Sequence, residues 1–450
     1  MAEAVAPIDV APAHPSHVLE TGKRRYVLWL LMAAYTLSFL DRQVLSILIE
    51  PIKHELKLSD AAIGLLTGPI FVIFYTFLGI PIAWLADRMS RPAIVAISLA
   101  LWSGFTAISG FAANYAVLAL ARLGVGFGEA GCNPSSHSLI ADISRPGQRA
   151  SGLAFYSMGV PIGTLLGLAM GGLVADAWGW RAAFLVAAAP GLVLAAVIGL
   201  TVKEARPSIP SPLSQGLIQP FLDLVDTVKA LSSKPTFWFA ALGCGFSAFV
   251  GYAQLIFTSS FFLRCHTAEL AEIAAGFGLQ SKGFLGPALG MVTALGGLTG
   301  TLVGGHLADH ASTRDRRLFM SVPAAAAIIS LPFVYLIFTV PSTWGALVLD
   351  FVPNMVGTIW YGAVYSTAQS VVAPRRRATA AALLLLILNL IGLGLGPTFV
   401  GACSDFLAQS QHLGQAEGLR WALVISGCFG AVAAGFFWLA RRTVRRDVVS

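Results

Sequence analysis

Twelve apolar runs, each bounded by charges, glycine or proline, divide the chain. Their limits are 26–49, 61–86, 92–112, 115–141, 150–176, 180–202, 236–263, 284–308, 317–339, 343–371, 378–402 and 419–440. A helix of about 20 residues crosses a hydrocarbon core about 30 Å thick, so each run can span a bilayer. The pattern predicts an all-α membrane protein with twelve transmembrane helices. The polar connections set its orientation. Of the 29 Lys and Arg, 21 fall on the side of the two termini, 6 fall on the opposite side, and Arg42 and Arg122 lie inside runs. Basic residues collect on cytoplasmic loops, so both termini are expected in the cytoplasm and the span count is expected to be even.

The longest polar connection, 203–234, separates six runs from six. It opens Lys203-Glu-Ala-Arg-Pro and continues Ser208-Ile-Pro-Ser-Pro, a breaker-rich stretch. Ile218, Phe221, Leu222, Val225 and Val228 then recur at helical spacing, with Asp223, Asp226 and Lys229 between them. This predicts a short amphipathic helix on the cytoplasmic surface. The expected organisation is a disordered tail over 1–22, a six-helix bundle over 23–202, the linker over 203–234, a second bundle over 235–440 and a basic tail over 441–450. The first tail has no apolar centre and does not read as a signal peptide, so the first span is expected to act as the targeting signal.

Composition agrees with this pattern. Charged residues make up 11% of the chain and hydrophobic ones 56%, where soluble domains carry about 25% charged residues. Mean hydropathy is +0.76 and the pI is near 9.3. The net charge of +7 follows from the loop bias, and no nucleic-acid partner is expected. The five cysteines, Cys132, Cys244, Cys265, Cys403 and Cys428, are scattered and form no CxxC pair. Neither a disulfide framework nor a metal site is expected.

Against this apolar background, four ionisable residues stand inside runs of the first half: Asp41, Arg42, Arg122 and Glu129. A charge at the bilayer centre costs about 2.5–3.5 kcal/mol on insertion scales, and such groups pair or line watery paths. Two acids meet two bases, so the set can be neutral. At about 1.5 Å per residue, Asp41 and Arg122 reach similar depth on antiparallel helices, and Glu129 lies two turns deeper on the helix of Arg122. Asp41 is the leading candidate for protonation and Glu129 a second relay acid, with Arg122 shared between them. Burial favours a neutral carboxyl and a nearby guanidinium a charged one, so a moving arginine would switch Asp41. The arginines cannot release protons; they gate, or bind a phosphate or carboxylate headgroup. The alternative is a static salt-bridge knot locking two helices. In the second half, Asp350 precedes Pro353 and either lines the outer cavity or serves backbone freed by the proline. Phe246, Phe249, Tyr252, Phe257, Trp360, Tyr361 and Tyr365 form an apolar half-cavity or are helix-packing aromatics.

The halves echo each other. Ala83-Trp-Leu-Ala-Asp87-Arg88-Met-Ser-Arg91 follows the second run, and Gly305-His-Leu-Ala-Asp309-His-Ala-Ser-Thr-Arg314 follows the eighth. Both place Leu-Ala-Asp at an expected helix end. Glycine and proline cluster around Pro161 in the fifth run and Pro397 in the eleventh. Matching features in two halves mark a repeat-built transporter with its site between them. Gly163/Gly167/Gly171 and Gly296/Gly300/Gly304 repeat every four residues and allow close helix approach.

These stretches resemble the major facilitator superfamily, whose loop signature is approached by Leu85-Ala86-Asp87-Arg88 and Arg91 and, in the second half, by Gly305 and Leu307-Ala308-Asp309. Arg122-Leu-Gly-Val-Gly126-Phe-Gly128 resembles its arginine-bearing fourth helix. Asp41-Arg42, Gly126 to Pro134, Ile140-Ala-Asp142 and Phe155-Tyr156 resemble the spinster group within it. The resemblance implies two six-helix bundles rocking about a central site, with helices one and four beside the cavity. It also implies that Asp87, with Arg88 and Arg91, holds the cytoplasmic side closed near the start of span eleven, with Asp309 as counterpart. Spinster-type proteins in animals carry lysophospholipids and sphingosine phosphates. The function expected is proton-coupled transport of an amphipathic, lysolipid- or sphingolipid-like substrate by alternating access. A multidrug or small organic-anion transporter is the alternative, and a non-transporting membrane sensor a different class. His137 and Ser138 are lone polar residues and assemble no catalytic set, so no enzyme activity and no cofactor is expected. Gly126-x-Gly128-x-x-Gly131 lacks the preceding strand of a dinucleotide site, and His54-Glu55 lacks the second histidine of a zinc protease. The expected partners are the substrate, protons and the lipid bilayer, with the protein a monomer in a bacterial inner membrane.

Overall fold

The computed structural model describes residues 20–86, 89–204, 219–373 and 376–448. Among them no strand forms. The first half contains α1 (Thr21–Leu56), α2 (Asp60–Thr67), α3 (Pro69–Ala86), α4 (Arg91–Ser109), α5 (Tyr115–Glu129), α6 (Cys132–Ile143), α7 (Arg149–Ser157) and α8 (Gly159–Thr201). A linker helix, α9 (Gln219–Leu231), precedes the second half. That half contains α10 (Pro235–Cys265), α11 (Thr267–Gly276), α12 (Ser281–Arg314), α13 (Leu318–Thr339), α14 (Thr343–Val356), α15 (Trp360–Ser370), α16 (Arg377–Leu388), α17 (Gly396–Ser410) and α18 (Gly414–Asp447). Ten helical stretches among the described residues are long and apolar enough to cross a membrane. We call the end that carries Thr21 and Asp447 the base, and the opposite end, with Leu56 and Gly414, the crown.

Several apolar runs are broken where the sequence pattern is continuous. The run over 61–86 turns at Gly68, between α2 and α3, and the run over 115–141 breaks at Ala130–Gly131. Around that break, a Cβ on Gly128 would strike the Trp102 backbone and one on Gly131 the Ser98 hydroxyl, so α4 lies tightly against this segment. The fifth and sixth runs join into α8, which bends at Gly179 with φ 83°, a backbone conformation natural to glycine. A π-helical turn over Asn389–Leu395 precedes Pro397. Conversely, α12 continues past Asp309 to Arg314, so the second Leu-Ala-Asp does not end its helix as expected. The linker helix exists; its Val228 packs on the second half, while Ile218 lies outside the described residues.

Glycine determines which helices touch. A Cβ on Gly163, Gly167 or Gly171 would clash with α1, and one on Gly296, Gly300 or Gly304 would clash with the 351–359 stretch. These two ladders therefore build the interior of each half. A different set, Gly64, Gly172, Gly286 and Gly401, lies against backbone of the opposite half. The apolar core follows the same division. At the crown one cluster runs through both halves, from Leu45 and Ile49 to Ile256, Phe257, Val400 and Leu423. Toward the base each half keeps its own cluster, around Leu31, Ile140 and Ile198 in one and Phe237, Trp360 and Ala440 in the other. Among the described residues, the first of these meets the opposite half through Tyr252, Leu390 and Leu393.

Candidate functional site

Asp41 and Arg42 are neighbours on α1, and successive helical residues point about 100° apart. Asp41 turns to α4, where the Thr106 hydroxyl donates to its Oδ2 at 2.7 Å. Its Oδ1 is buried without a partner. Arg42 turns to α5: its Nε donates to Glu129 Oε2 at 2.9 Å, and its Nη2 reaches the same oxygen. Ser38 donates to that oxygen as well, at 3.1 Å. Phe39, Phe71 and Tyr75 surround the guanidinium at 5.3, 4.9 and 4.8 Å from its Cζ to the ring centroids. Such contacts add attraction for a desolvated cation.

Sequence spacing places Arg122 between the two acids; the structure assigns Glu129 to Arg42 instead. Two helical turns, about 10 Å of rise, separate Arg122 from Glu129 on their common helix. Arg122 forms no ion pair among the described residues, and its buried Nε has no hydrogen-bond partner. Its Cζ lies 5.3 Å from the Phe71 ring, so Phe71 stands between the two arginines. Both arginines line a slender cleft between the halves, which Tyr252, Ile256 and Leu393 close from the second half. The cleft thus presents two guanidinium groups, one with a carboxylate and one without.

On the base side of Glu129 lies a polar bridge that the sequence pattern did not single out. Tyr156 of α7 donates to Asn133 Oδ1 at 2.5 Å, and Asn133 Nδ2 donates to the Tyr75 hydroxyl at 3.2 Å. Tyr35 stacks on Tyr156 at 4.4 Å. In the second half, Tyr252 lines the cleft, while Trp360 stacks on Tyr361 at 4.0 Å and is buried with an unpartnered Nε1. Phe246 belongs to an aromatic stack with Phe429 and Phe436, and Phe257 is core at the crown. Asp350 is buried, and its Oδ2 accepts from Asn354 at 3.0 Å.

Among the expected motif residues, Asp87 and Arg88 lie outside the described residues. The side chain of Asp309 is not described either. Arg91 is fully buried at the base end of α4. It donates to Asp142 at 2.6 Å and to Glu204 at 2.6 Å, tying α4 to α6 and to the segment after α8. Both bonds tie α4 to the first half and to the start of the linker that follows it.

The charged groups that join the halves sit at the crown. Arg264, ending α10, donates to Glu50 Oε1 at 2.9 and 2.7 Å and to both Asp60 oxygens at 2.7 Å. Lys53 and Ser404 also donate to Asp60, at 2.8 and 2.7 Å. Asp405 accepts from the Asp60 and Ala61 amides at the start of α2, where a negative charge suits the helix N-terminus. Across the second seam, Asp176 takes Lys282 at 2.6 Å and the Gly283 amide at 2.5 Å. All hydrogen bonds and ion pairs between described residues of the two halves lie on this crown side. Among the described residues, the hydrogen-bonded clamp between the halves therefore lies at the crown. In sequence these residues look like ordinary helix-end charges, and only Glu50-x-x-Lys53, close to Asp60, hints at a cluster.

Two helical halves, close at one end around a cleft that holds buried charges, are the architecture of a membrane transporter. The comparisons with known proteins agree. The sequence model of the Major Facilitator Superfamily matches residues 31–397. An "MFS-type efflux pump" of Mycolicibacterium smegmatis is 33% identical over 421 residues, covering 92% of each chain. The "Sphingosine-1-phosphate transporter SPNS2" of Danio rerio is 27% identical over 414 residues, covering 90% of this chain and 81% of that one. The crystal structure of "a bacterial homolog to human lysosomal transporter, Spinster", inward-facing and unoccupied, aligns with TM-score 0.82 at 32% identity, over 96% of this chain and 100% of that one. The chain belongs to the major facilitator superfamily, as a spinster-like integral membrane transporter of small molecules.

Proposed function

We propose that this transporter couples the movement of an amphipathic, lysolipid- or sphingolipid-like molecule to protons, by alternating access of two six-helix bundles across a bacterial inner membrane. The observation that carries the reading is the unequal treatment of the buried charges. Asp41 has only a hydroxyl partner and one free oxygen, Glu129 is bound to Arg42, and Arg122 has no carboxylate. A buried carboxyl with no cation is a natural proton carrier, since leaving it ionised costs much desolvation. An arginine lacking a carboxylate is a natural seat for an anionic headgroup, which its planar fork grips in bidentate fashion. Phe71 and Tyr252 flank that seat with apolar surface for a tail. The name of the 27% identical zebrafish relative, a sphingosine-1-phosphate transporter, supports an anionic amphiphile as substrate.

The split of 21 basic residues against 6 supports a cytoplasmic base. Twelve spans, counting α8 as two across Gly179 and α5 with α6 as one, then return both termini to that side. In this orientation the cleft faces inward and the crown clamp closes the outer side. The protein works as a monomer, since both halves of the site come from one chain. Efflux of small organic compounds is a second reading, favoured by the name of the 33% identical relative.

Proteoliposomes with an imposed pH gradient test the proposal. Labelled lysolipids, sphingoid phosphates and hydrophobic cations are offered to the wild type and to Asp41→Asn. Gradient-driven flux of an anionic amphiphile, lost in the variant, is the expected result. Flux indifferent to the gradient in both proteins would sink proton coupling. Gradient-driven flux of cations alone would move the substrate class to drugs.

A further inference from the structure

We infer that a groove on the outward wall of the second half is a binding site for one acyl chain of a bilayer phospholipid in the crown-side leaflet. The groove has a volume of about 470 Å³, and each of the ten residues that line it is apolar or aromatic. Its floor is Phe284 of α12 and Leu347 of α14, both buried. Its rim is Phe277, Met291 and Trp344, which are 64%, 49% and 47% exposed. Phe277 stacks on Phe284 at 5.3 Å, and Trp344 meets Phe284 edge-on at 5.7 Å. An aromatic wall therefore divides the recess from the crown surface.

The occupant follows from where the groove lies. Phe284, Met291, Leu347 and Val348 belong to helical stretches long and apolar enough to cross the membrane, so hydrocarbon is what reaches their exposed faces. Water gains nothing from a recess without polar partners. A flexible chain gains dispersion contacts on several sides, and close packing is what holds partners together within a bilayer. Trp344 begins α14 at the crown, the position of an interfacial aromatic, and marks the depth at which the chain would leave the groove for its headgroup. The groove also backs onto the crown clamp. Lys282 and Gly283, which hold Asp176, immediately precede the floor residue Phe284. A chain lodged there packs behind the turn that carries the clamp. The inference does not depend on the substrate or on proton coupling.

The test uses the full chain in nanodiscs made with a phosphatidylcholine bearing a photoactivatable diazirine in its acyl chain. Adduct sites are mapped by mass spectrometry. Adducts at Met291, Trp344 and Val348 are expected to exceed those at Leu120 and Val193, first-half residues more exposed than Met291 and Trp344 and about as exposed as Val348, by fivefold or more. Filling the groove with Ala288→Trp is expected to remove that excess. Met291→Trp, at the exposed rim, is the second variant should the first fail to fold. Labelling spread evenly over groove and control residues, or an excess that survives a folded groove-filling variant, overturns the inference.

Discussion

Replacing Arg264 with methionine should unlock the crown. The side chain is 8% exposed and supplies five hydrogen bonds, two to Glu50, two to Asp60 and one to the Gln415 carbonyl. Glu50, one quarter exposed, can rehydrate; Asp60, at 2%, cannot. Asp60 keeps Lys53 and Ser404, so half of its side-chain donors remain. Breaking a buried pair from one side costs about 3–5 kcal/mol, and the remaining donors place this case at the lower end, about 3 kcal/mol. With the crown open, water solvates the same groups and the substitution costs little. The equilibrium should therefore move about 100-fold toward the crown-open state, at about 1.4 kcal/mol per factor of ten. The readout is the rate at which a membrane-impermeant maleimide, applied from the crown side, labels Ile256→Cys in a background lacking the five native cysteines. Ile256 lines the cleft and is buried, so the rate follows the population open to the crown. Adding Glu50→Gln rebalances the cluster, leaving Lys53 with Asp60, and should recover part of the effect because the sites are coupled. An unchanged labelling rate in a variant that still unfolds at the wild-type temperature would refute the clamp.

Three further outcomes follow from the same geometry. Asp41→Asn keeps an acceptor for Thr106, so the protein should stay folded and exchange labelled substrate by counterflow, while gradient-driven accumulation disappears. Glu129→Gln leaves the Arg42 cation buried without a charge partner. Thermal unfolding should report a loss of about 3–5 kcal/mol, relieved when Arg42→Met is added. Glycine substitutions should separate by location. Gly401→Val meets Asp60 backbone across the seam and should raise crown-side labelling, whereas Gly167→Val meets Leu40 backbone inside the first half and should lower the unfolding temperature instead.

What the sequence reveals of this molecule depends on how local each feature is. Spans are legible because a bilayer demands long apolar runs, and the four buried charges are legible because nothing else tolerates them there. The breaks at Gly68 and Ala130–Gly131 are not, because both are set by neighbouring helices. Pairing within the charged set is legible only in part. Rise along the helix sets the depths of Arg122 and Glu129, but the direction in which Asp41 and Arg42 point depends on where α4 and α5 stand. The crown clamp is hidden altogether. Arg264 and Asp60 are 204 residues apart and Asp60 and Asp405 345 apart, and each alone resembles a solvated helix-end charge.

The placement of charges also constrains how coupling can work. Asp41, Arg42, Arg122 and Glu129 all ride on α1 and α5, in one half. The bonds of Arg91 to Asp142 in the first half and of Thr236 to Asp447 in the second likewise join residues of one half. If the halves rock as proposed, the buried set stays intact and only its wall is exchanged, which Tyr252, Ile256 and Leu393 supply. On the proposed mechanism, protonation of Asp41 cannot act by breaking a bond to the second half, because it makes none. It acts by changing the net charge that the first half presents to the cleft. With Asp41 neutral, two guanidiniums face one carboxylate, and closing the apolar wall over that excess charge is costly until an anionic headgroup enters. Substrate and proton are then linked by charge balance within a single rigid half, and the clamp at the crown sets the free energy against which that balance must work.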